Sequence, residues 1–297
     1  MDAADLAAFT AAVRQAAERH RDDFDKGLDA VGWREALVED AVAARAVFAL
    51  QGELNLSSSA LDDVLLRALG RTPSPDTAVL IAPYPIGTRR LATATQIVSI
   101  DENGVIPIPP GAPTLRKASG VDPYGGWVEL GGSFEIHVMG GCVPAPPRAA
   151  TLAAGRLAVA TELAAAARAM LDLARDHAVN RVQFGRPIAA FQAVRHRLAD
   201  SLVAVASAEA AVDTGWEETS PYTAAMAKAI AGRSARTVAR HAQQVLAGMG
   251  FTDEHPFHRY LRRVLVLDQL LGSSTEISTN LGEAAIRAGG VPAMLPL

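Results

Sequence analysis

Apolar residues recur with a helical period in the first quarter of the chain. Leu6, Phe9 and Val13 are spaced by three and four residues. Side chains at these spacings lie on one face of a helix, where they can pack against a core. The pattern predicts an N-terminal helical region over residues 1–70.

The segment SSSALDDVLLRALG, residues 57–70, carries signals for both ends of one helix. Its serines can cap the start, Asp62 and Asp63 fall in the first turns, and Gly70 can end it. The segment therefore predicts a complete helix at the end of this region.

The hydrophobic pattern changes over residues 71–147, where prolines and glycines cluster between short β-prone runs. The runs predict strands over residues 78–81, 94–100, 127–130 and 134–138. Asn103-Gly104 and Gly131-Gly132 are typical of tight turns between strands. We expect a small β module, shorter than a full β domain.

Long helices dominate residues 148–297, and the sequence marks several of their ends. Ser220-Pro221 is an N-cap followed by a proline at the first helical position. The periodicity predicts four helices, over residues 148–180, 191–215, 221–247 and 274–288. The fold class that follows is mostly α with a small β module, and it ends in a four-helix bundle.

Composition restricts the class of function. Hydrophobic residues make up 49% of the 297 and charged residues 20%, a balance typical of a globular protein. The net charge of −4 and a pI near 6.0 argue against binding to nucleic acid, which needs a basic face. The one cysteine, Cys142, excludes an internal disulfide and fits a reducing compartment.

Neither the first 25 residues nor the most apolar stretch of the chain predicts a membrane segment. The first 25 residues carry charges throughout and have no apolar core of a signal peptide. Residues 149–179 are apolar but interrupted by six charged residues. We expect a cytoplasmic protein.

His255 and His258 lack further histidine or cysteine neighbours, so we expect no metal site.

The connection between the first two bundle helices has an unusual composition. NRVQFGRPIAAFQ, which begins at Asn180, carries arginines, aromatic rings and glutamines around one glycine. A simple linker favours Gly, Ser, Asn and Pro. This composition indicates a binding surface, although Arg181 can alternatively pair with a local carboxylate.

This loop and two later segments resemble motifs of the acyl-CoA dehydrogenase family. QVLAGMGFTDEHPFHRYLRR, residues 244–263, resembles the family's Gln-x-x-Gly-Gly turn, Glu-x-Pro and basic pair. LLGSSTEI, residues 270–277, falls where the family has Tyr-Glu-Gly-Thr. The resemblance covers about half the chain, from Arg148 to the C-terminus.

The resemblance implies that one set of residues contacts FAD. Most of these residues would contact the ADP half of an FAD that a neighbouring subunit holds. An arginine can pair with pyrophosphate oxygens, and a glycine turn lets backbone N–H groups approach them. Ala247 replaces the first glycine of the pair, which slightly restricts that approach. The implied residues are Arg181, Phe184, Gln192, Gln244, Ala247, Gly248, Gly250 and Ser273.

The same resemblance leaves the catalytic base unassigned. The family reaction needs a carboxylate to remove the proton alpha to the thioester. The family places that glutamate at one of two positions, here occupied by Leu271 and Gly155, and neither side chain can accept a proton. Glu276 matches a helix N-terminal position instead. Arg156, which follows Gly155, is a weak candidate for substrate contact.

The resemblance therefore implies a non-catalytic subunit of a heteromeric, α2β2 acyl-CoA dehydrogenase, of the kind that degrades steroids in actinobacteria. A partner subunit would supply the base for an acyl-CoA substrate, FAD would lie at the interface, and electron-transfer flavoprotein would accept the electrons. The β module also lacks the family's flavin-ring motifs; the sequence around Trp127 resembles them only weakly. Two alternatives stay open: a flavin-dependent oxidase or monooxygenase, and a non-enzymatic helical scaffold.

Overall fold

The computed structural model describes residues 1–84, 86–101, 104–108, 114–118, 120–131 and 148–290. The predicted strand over residues 134–138 and Cys142 lie outside these ranges, as do Asn103 and Gly132 of the two predicted turns.

Five helices form the N-terminal part, as the helical periodicity predicts. Asp2 caps the first helix with its carboxylate, which accepts the amides of Ala4 and Asp5 at 2.8 Å each. The apolar faces of these helices belong to one core that also includes the long C-terminal helices. The helices are α1 (Ala3–Arg19), α2 (Phe24–Ala30), α3 (Trp33–Glu39), α4 (Val42–Leu54) and α5 (Ala60–Ala68).

The predicted helix over residues 57–70 is α5, but its polar residues act differently from the prediction. Ser59 is the N-cap residue, yet its hydroxyl donates to Asp25 and forms no cap, while Ser58 accepts the Ala60 amide. Asp62 and Asp63 are buried. The two acids anchor the β module: Asp62 accepts the Val79 amide at 2.8 Å, and Arg90 donates to both oxygens of Asp63.

Burial raises the pKa of Asp62 to about 6, despite opposing contributions from Arg90 and the Thr88 hydroxyl. Between about pH 4 and pH 6 the folded chain holds a proton that the unfolded chain has released. Asp62 therefore lowers the free energy of unfolding as pH rises through this window, by about 3 kcal/mol in total. Asp62→Asn should flatten this slope in urea denaturation between pH 4 and 7. The exposed Asp200→Asn is the control, and an unchanged slope in Asp62→Asn would contradict the assignment.

Two three-stranded sheets form the β module. In the first, β1 pairs parallel with β3, and β3 pairs antiparallel with β4, so the predicted turn before β4 joins two paired strands. In the second, β6 lies between β2 and β5, antiparallel to both. Three described strands match the predictions within two residues at either end. The strands are β1 (Thr77–Ile81), β2 (Ile86–Gly87), β3 (Gln96–Ile100), β4 (Val105–Ile108), β5 (Thr114–Lys117) and β6 (Val128–Gly131).

The C-terminal part contains the four predicted bundle helices and one more. Ser220 caps its helix as predicted, in a capping box with Thr223. The added helix lies in the HPFHRYLRRVLVLDQLL stretch, which the sequence analysis left unassigned. No helix among the described residues is both long and apolar enough to span a membrane. The helices are α6 (Arg148–Asn180), α7 (Gln192–Glu217), α8 (Pro221–Leu246), α9 (Phe257–Gln269) and α10 (Ser274–Ala288).

The bundle runs up, down and up through α6, α7 and α8. A side chain at Gly215, near the end of α7, would meet Leu157 near the start of α6 and Ala227 near the start of α8. The start of α6, the end of α7 and the start of α8 therefore lie together. The ends of α6 and α8 and the start of α7 must lie at the opposite end.

A buried polar network joins the three parts of the molecule. The Glu162 carboxylate of α6 accepts hydrogen bonds from Arg263 of α9 at 2.8 Å and from Gln51 of α4 at 3.0 Å. The Arg263 guanidinium also lies 4.6 Å from the ring centroid of Trp127, whose indole N–H donates to Asp122. Trp127 thus has a structural role here, since it packs on a buried ion pair.

Candidate functional site

The loop singled out by its composition is a tight β-hairpin at one end of the bundle. Strands β7 (Val182–Gln183) and β8 (Arg186–Pro187) pair antiparallel around Phe184 and Gly185. These two residues have φ of 53° and 78°, the pattern of a type I′ turn. The turn leaves the Phe184 side chain 91% exposed. A large apolar ring in left-handed backbone at a surface indicates a contact made outside this chain.

Aromatic and cationic groups support the hairpin. Phe184 and Phe191 meet edge to face at 6.0 Å between centroids, and the Arg186 guanidinium lies 4.4 Å from the Phe191 centroid. Phe191 precedes Gln192, the exposed first residue of α7. Arg181 is exposed and has no side-chain hydrogen bond or ion pair within the part of the chain that the structure describes. The alternative of a local carboxylate partner for Arg181 therefore finds no support there.

The Ala247–Phe251 segment makes a second turn directly after α8, and Gln244 lies in the last turn of α8. Gln244, Ala247 and Gly248 are exposed, and a side chain at Gly248 would meet open space. Gly250 is buried, and a side chain there would press on the Gln243 carbonyl at 3.2 Å. Gly248 thus leaves its backbone accessible, whereas Gly250 has a packing role within the turn.

Ala247 adopts a backbone conformation that suits glycine. Its φ of 51° and ψ of −129° lie in a region that residues with a Cβ rarely occupy. The sequence predicts that the methyl group restricts approach to a ligand; the structure adds backbone strain.

Ala247→Gly should raise the free energy of unfolding by about 1 kcal/mol, because it relieves strain at an exposed site where no packing is lost. Thermal denaturation of the full chain measures the change. Ala199→Gly, at an exposed position within α7, is the matched control and should lower stability by about 1 kcal/mol. Equal losses in both variants would show that Ala247 is unstrained.

The hairpin and the turn lie at the same end of the bundle, where α6 and α8 finish and α7 begins. The pKa of His255, just after the turn, is lowered by burial and by the charge of His177 in the last turn of α6. We call the exposed groups at this end the bundle-end surface. It comprises Arg181, Phe184, Gln192, Gln244, Ala247 and Gly248.

Ser273 lies elsewhere, although the sequence analysis grouped it with these residues. It caps α10 by accepting the Glu276 amide at 3.1 Å. The adjacent Gly272 carbonyl accepts a hydrogen bond from Lys228 of α8 at 3.1 Å. Lys228 is 18 residues before Leu246 at the end of α8, which is roughly 27 Å along a helix. Ser273 and the bundle-end surface of one chain are therefore two separate places.

Leu271 and Gly155, the two residues that the motif resemblance places at the family's base positions, meet in the structure. A Cβ built on Gly155 would lie 2.7 Å from the Leu271 side chain and 2.9 Å from that of Leu65. Leu271 is 3% exposed. Apolar groups thus fill the space around both positions.

Arg156 helps to hold the turn that carries Leu271. Its Nε donates to the Leu271 carbonyl at 2.9 Å. Burial lowers the pKa of Arg156, while Tyr84 and Glu276 act in the opposite direction. Tyr84 also donates to Glu276 at 3.5 Å, so Glu276 acts in the helix cap and in this polar cluster.

Lys228 is a member of this cluster that the sequence analysis missed. It is fully buried and donates to the carbonyls of Asp268 and Gly272 at 2.9 and 3.1 Å. Burial lowers its pKa to about 7, against the attraction of Asp268. The available signal was its position: Lys228 falls on the alanine-rich face of α8, where a charged residue is out of pattern.

Comparisons with known proteins point to the same family as the sequence motifs. Residues 148–286 match the family model "Acyl-CoA dehydrogenase, C-terminal domain". This part of the chain is therefore similar to the C-terminal domain of acyl-CoA dehydrogenases. Acyl-CoA dehydrogenase IpdE2 of Mycobacterium tuberculosis is 39% identical over 123 residues, 41% of this chain and 39% of that protein. The match thus spans about two fifths of the length of this curated relative.

Solved structures extend the likeness to nearly the whole chain. A variant of the Tcur3481-Tcur3483 steroid ACAD has a TM-score of 0.74 at 18% identity, covering 96% of this chain and 98% of the other. The ChsE4-ChsE5 complex from Mycobacterium tuberculosis has a TM-score of 0.69 at 17% identity, covering 99% of both. The chain has the acyl-CoA dehydrogenase fold, as the motif series predicts.

Proposed function

We propose that this chain is a non-catalytic subunit of a heteromeric acyl-CoA dehydrogenase and shares FAD with its partner. One observation carries the proposal: Leu271 packs against Gly155 where a base would act, while the bundle-end surface stays exposed. The chain retains groups suited to a partner's cofactor and lacks those for its own reaction. In this proposal three regions, 1–70, 71–147 and 148–297, form a helical domain, a reduced β domain and the bundle.

The bundle-end surface has the chemistry to hold the ADP half of FAD. Arg181 would pair with pyrophosphate oxygens, and Phe184 offers an aromatic face for stacking. Gln192 and Gln244 supply amides that can both donate and accept. Gly248 leaves backbone N–H groups approachable because nothing lies within 4 Å of its Cβ position. When bound, FAD would accept the hydride from the substrate.

Ser273 belongs to a different location in this proposal. It lies beside the closed pocket of Leu271 and Gly155, at a distance from the bundle-end surface. Arg156, which already binds the Leu271 carbonyl, would act there as a positioning residue for the turn. Contact between Arg156 and substrate would require that hydrogen bond to change.

The names of the structural relatives support a heteromeric assembly. The ChsE4-ChsE5 and Tcur3481-Tcur3483 structures are each named for two chains, and the second is named as a steroid ACAD. We infer a catalytic acyl-CoA dehydrogenase partner in an α2β2 assembly, and a steroid-derived acyl-CoA as a substrate of the complex. Electron-transfer flavoprotein is the proposed electron acceptor, and the cytoplasm the proposed location.

Flavin stoichiometry tests the proposal. The chain is purified alone and with a co-expressed full-length acyl-CoA dehydrogenase, and visible absorbance is measured for each. We expect no flavin on the chain alone and about one per pair in the complex. Full flavin on the isolated chain would favour an oxidase or monooxygenase. No flavin under any pairing would favour a non-enzymatic scaffold.

Leu271→Glu should not make the isolated chain an acyl-CoA dehydrogenase. The added carboxylate would face Gly155 and Leu65 in a buried pocket, where burial favours the neutral acid. Absorbance assays with acyl-CoA and an artificial electron acceptor measure the activity. Leu271→Gln, of similar size and without charge, controls for packing. Turnover by the Glu variant alone would refute the proposed loss of the catalytic site.

A further inference from the structure

A cleft lined by none of the residues of the bundle-end surface collects positive charge without hydrogen-bonded carboxylates. It has a volume of about 250 Å³ and lies where the α1–α2 connection, the α4–α5 connection, the β module and the start of α9 meet. Arg21, Arg89 and Arg259 line it from three different parts of the chain. Such convergence requires tertiary structure, because the three positions are far apart in sequence.

Each of the three guanidiniums is held in place by a neutral group. Arg21 donates to the Leu54 carbonyl at 3.1 Å, and Arg89 donates to the Ser57 carbonyl at 3.1 Å. Arg259 lies over the ring of Tyr124, with its guanidinium carbon 4.9 Å from the centroid. These contacts orient the arginines and leave most of their N–H donors available.

The carboxylates near the cleft compensate this charge poorly. Asp25 is the ion-pair partner of Arg89, but at 3.8 Å and without a hydrogen bond. Its oxygens accept hydrogen bonds from the amide and hydroxyl of Ser59, and burial raises its pKa against the opposing effect of Arg89. Asp22 lines the cleft and makes no ion pair with any described residue. The Arg89 Nε is buried without a hydrogen-bond partner.

We propose that this cleft binds a small phosphorylated ligand, whose phosphoryl group lies between Arg21 and Arg259. Guanidiniums bind phosphoryl oxygens through paired, charge-assisted hydrogen bonds, and three of them match a dianion better than a single carboxylate. Tyr124 and Tyr260 give the cleft aromatic walls, and Asn55 adds an amide. The cleft therefore has room and chemistry for a phosphate ester with an attached planar group.

Isothermal titration calorimetry on the full chain tests the proposal, with inorganic phosphate, pyrophosphate and ADP as probes. We expect saturable binding of at least one probe. Arg21→Gln or Arg259→Gln should lower the affinity about tenfold or more, because each removes one charge-assisted hydrogen bond. Both residues are exposed, so each variant should fold, which circular dichroism checks.

Arg287→Gln is the matched control, since Arg287 is exposed on α10 and pairs with Glu283. Equal affinity for all three probes would identify the bare anion as the ligand chemistry. Tighter binding of ADP would identify an ester whose planar group lies against the aromatic walls. Absence of binding by every probe would overturn the proposal, as would equal weakening by Arg287→Gln. Pyrophosphate and ADP could also bind the bundle-end surface, so the weakening by Arg21→Gln or Arg259→Gln, and not binding by itself, assigns the ligand to the cleft; probe binding unchanged in both of these variants would overturn the proposal and leave the proposed function standing.

Discussion

Under the proposed function, Arg181→Ala should lower the flavin content of the complex between this chain and a catalytic partner. The guanidinium is exposed and uncommitted within the described residues, so its removal costs the charge-assisted hydrogen bonds to pyrophosphate and little folding energy. We expect flavin affinity to fall about 10- to 100-fold. Absorbance of the co-purified complex, followed by titration with FAD, measures the loss.

Arg175→Ala is the matched control for this experiment. Arg175 lies six residues earlier on α6 and is also exposed, but it pairs with Asp172 and Asp176 of its own chain. Its removal should leave flavin content unchanged. Arg181→Lys should restore only part of the affinity, because an ammonium lacks the planar fork. Equal flavin content in the Arg181→Ala and Arg175→Ala complexes would remove Arg181 from the site.

Arg263→Met should lower the free energy of unfolding by about 3–5 kcal/mol, the cost of leaving a buried ion without its partner. Glu162 is 1% exposed, and burial raises its pKa while Arg263 opposes that shift. The loss should be smaller at low pH, where Glu162 can be protonated. Urea denaturation of the full chain at pH 5 and pH 8 measures both effects.

An exposed ion pair on the same helix provides the comparison. Arg168 pairs with Glu209, and the two side chains are 37% and 43% exposed. Arg168→Met should therefore cost at most about 1 kcal/mol. The double variant Glu162→Gln, Arg263→Met should recover part of the loss, because no buried charge remains. If the two single variants lost equal stability, burial would not be what makes the Glu162 pair important.

The sequence predicted best where structure depends on local signals. Helical periodicity and the Ser220-Pro221 cap located the bundle helices, and β-prone runs located three described strands within two residues. The hairpin at Phe184 was marked by its composition, since its glycine permits the left-handed backbone that the turn needs. The assignment of individual residues to FAD remains a prediction.

The sequence could not predict which polar residues are buried. Asp62 and Asp63 resemble ordinary first-turn acids of a helix, yet they anchor the β module. Lys228 resembles a surface lysine, yet it binds two carbonyls in the interior. In each case burial arises from elements that are distant in sequence, and no local pattern records it.

From the amino-acid sequence alone we predict the motifs that resemble those of the family, the positions of the bundle helices, and the lack of an acid at the two positions assigned to the base. These follow from residue identity and short-range spacing. Only the tertiary structure decided that Leu271 packs on Gly155, that Ser273 is separate from the bundle-end surface, and that three arginines share one cleft. Such contacts depend on how α6, α8, α9 and the N-terminal helices pack, because packing alone brings distant residues together.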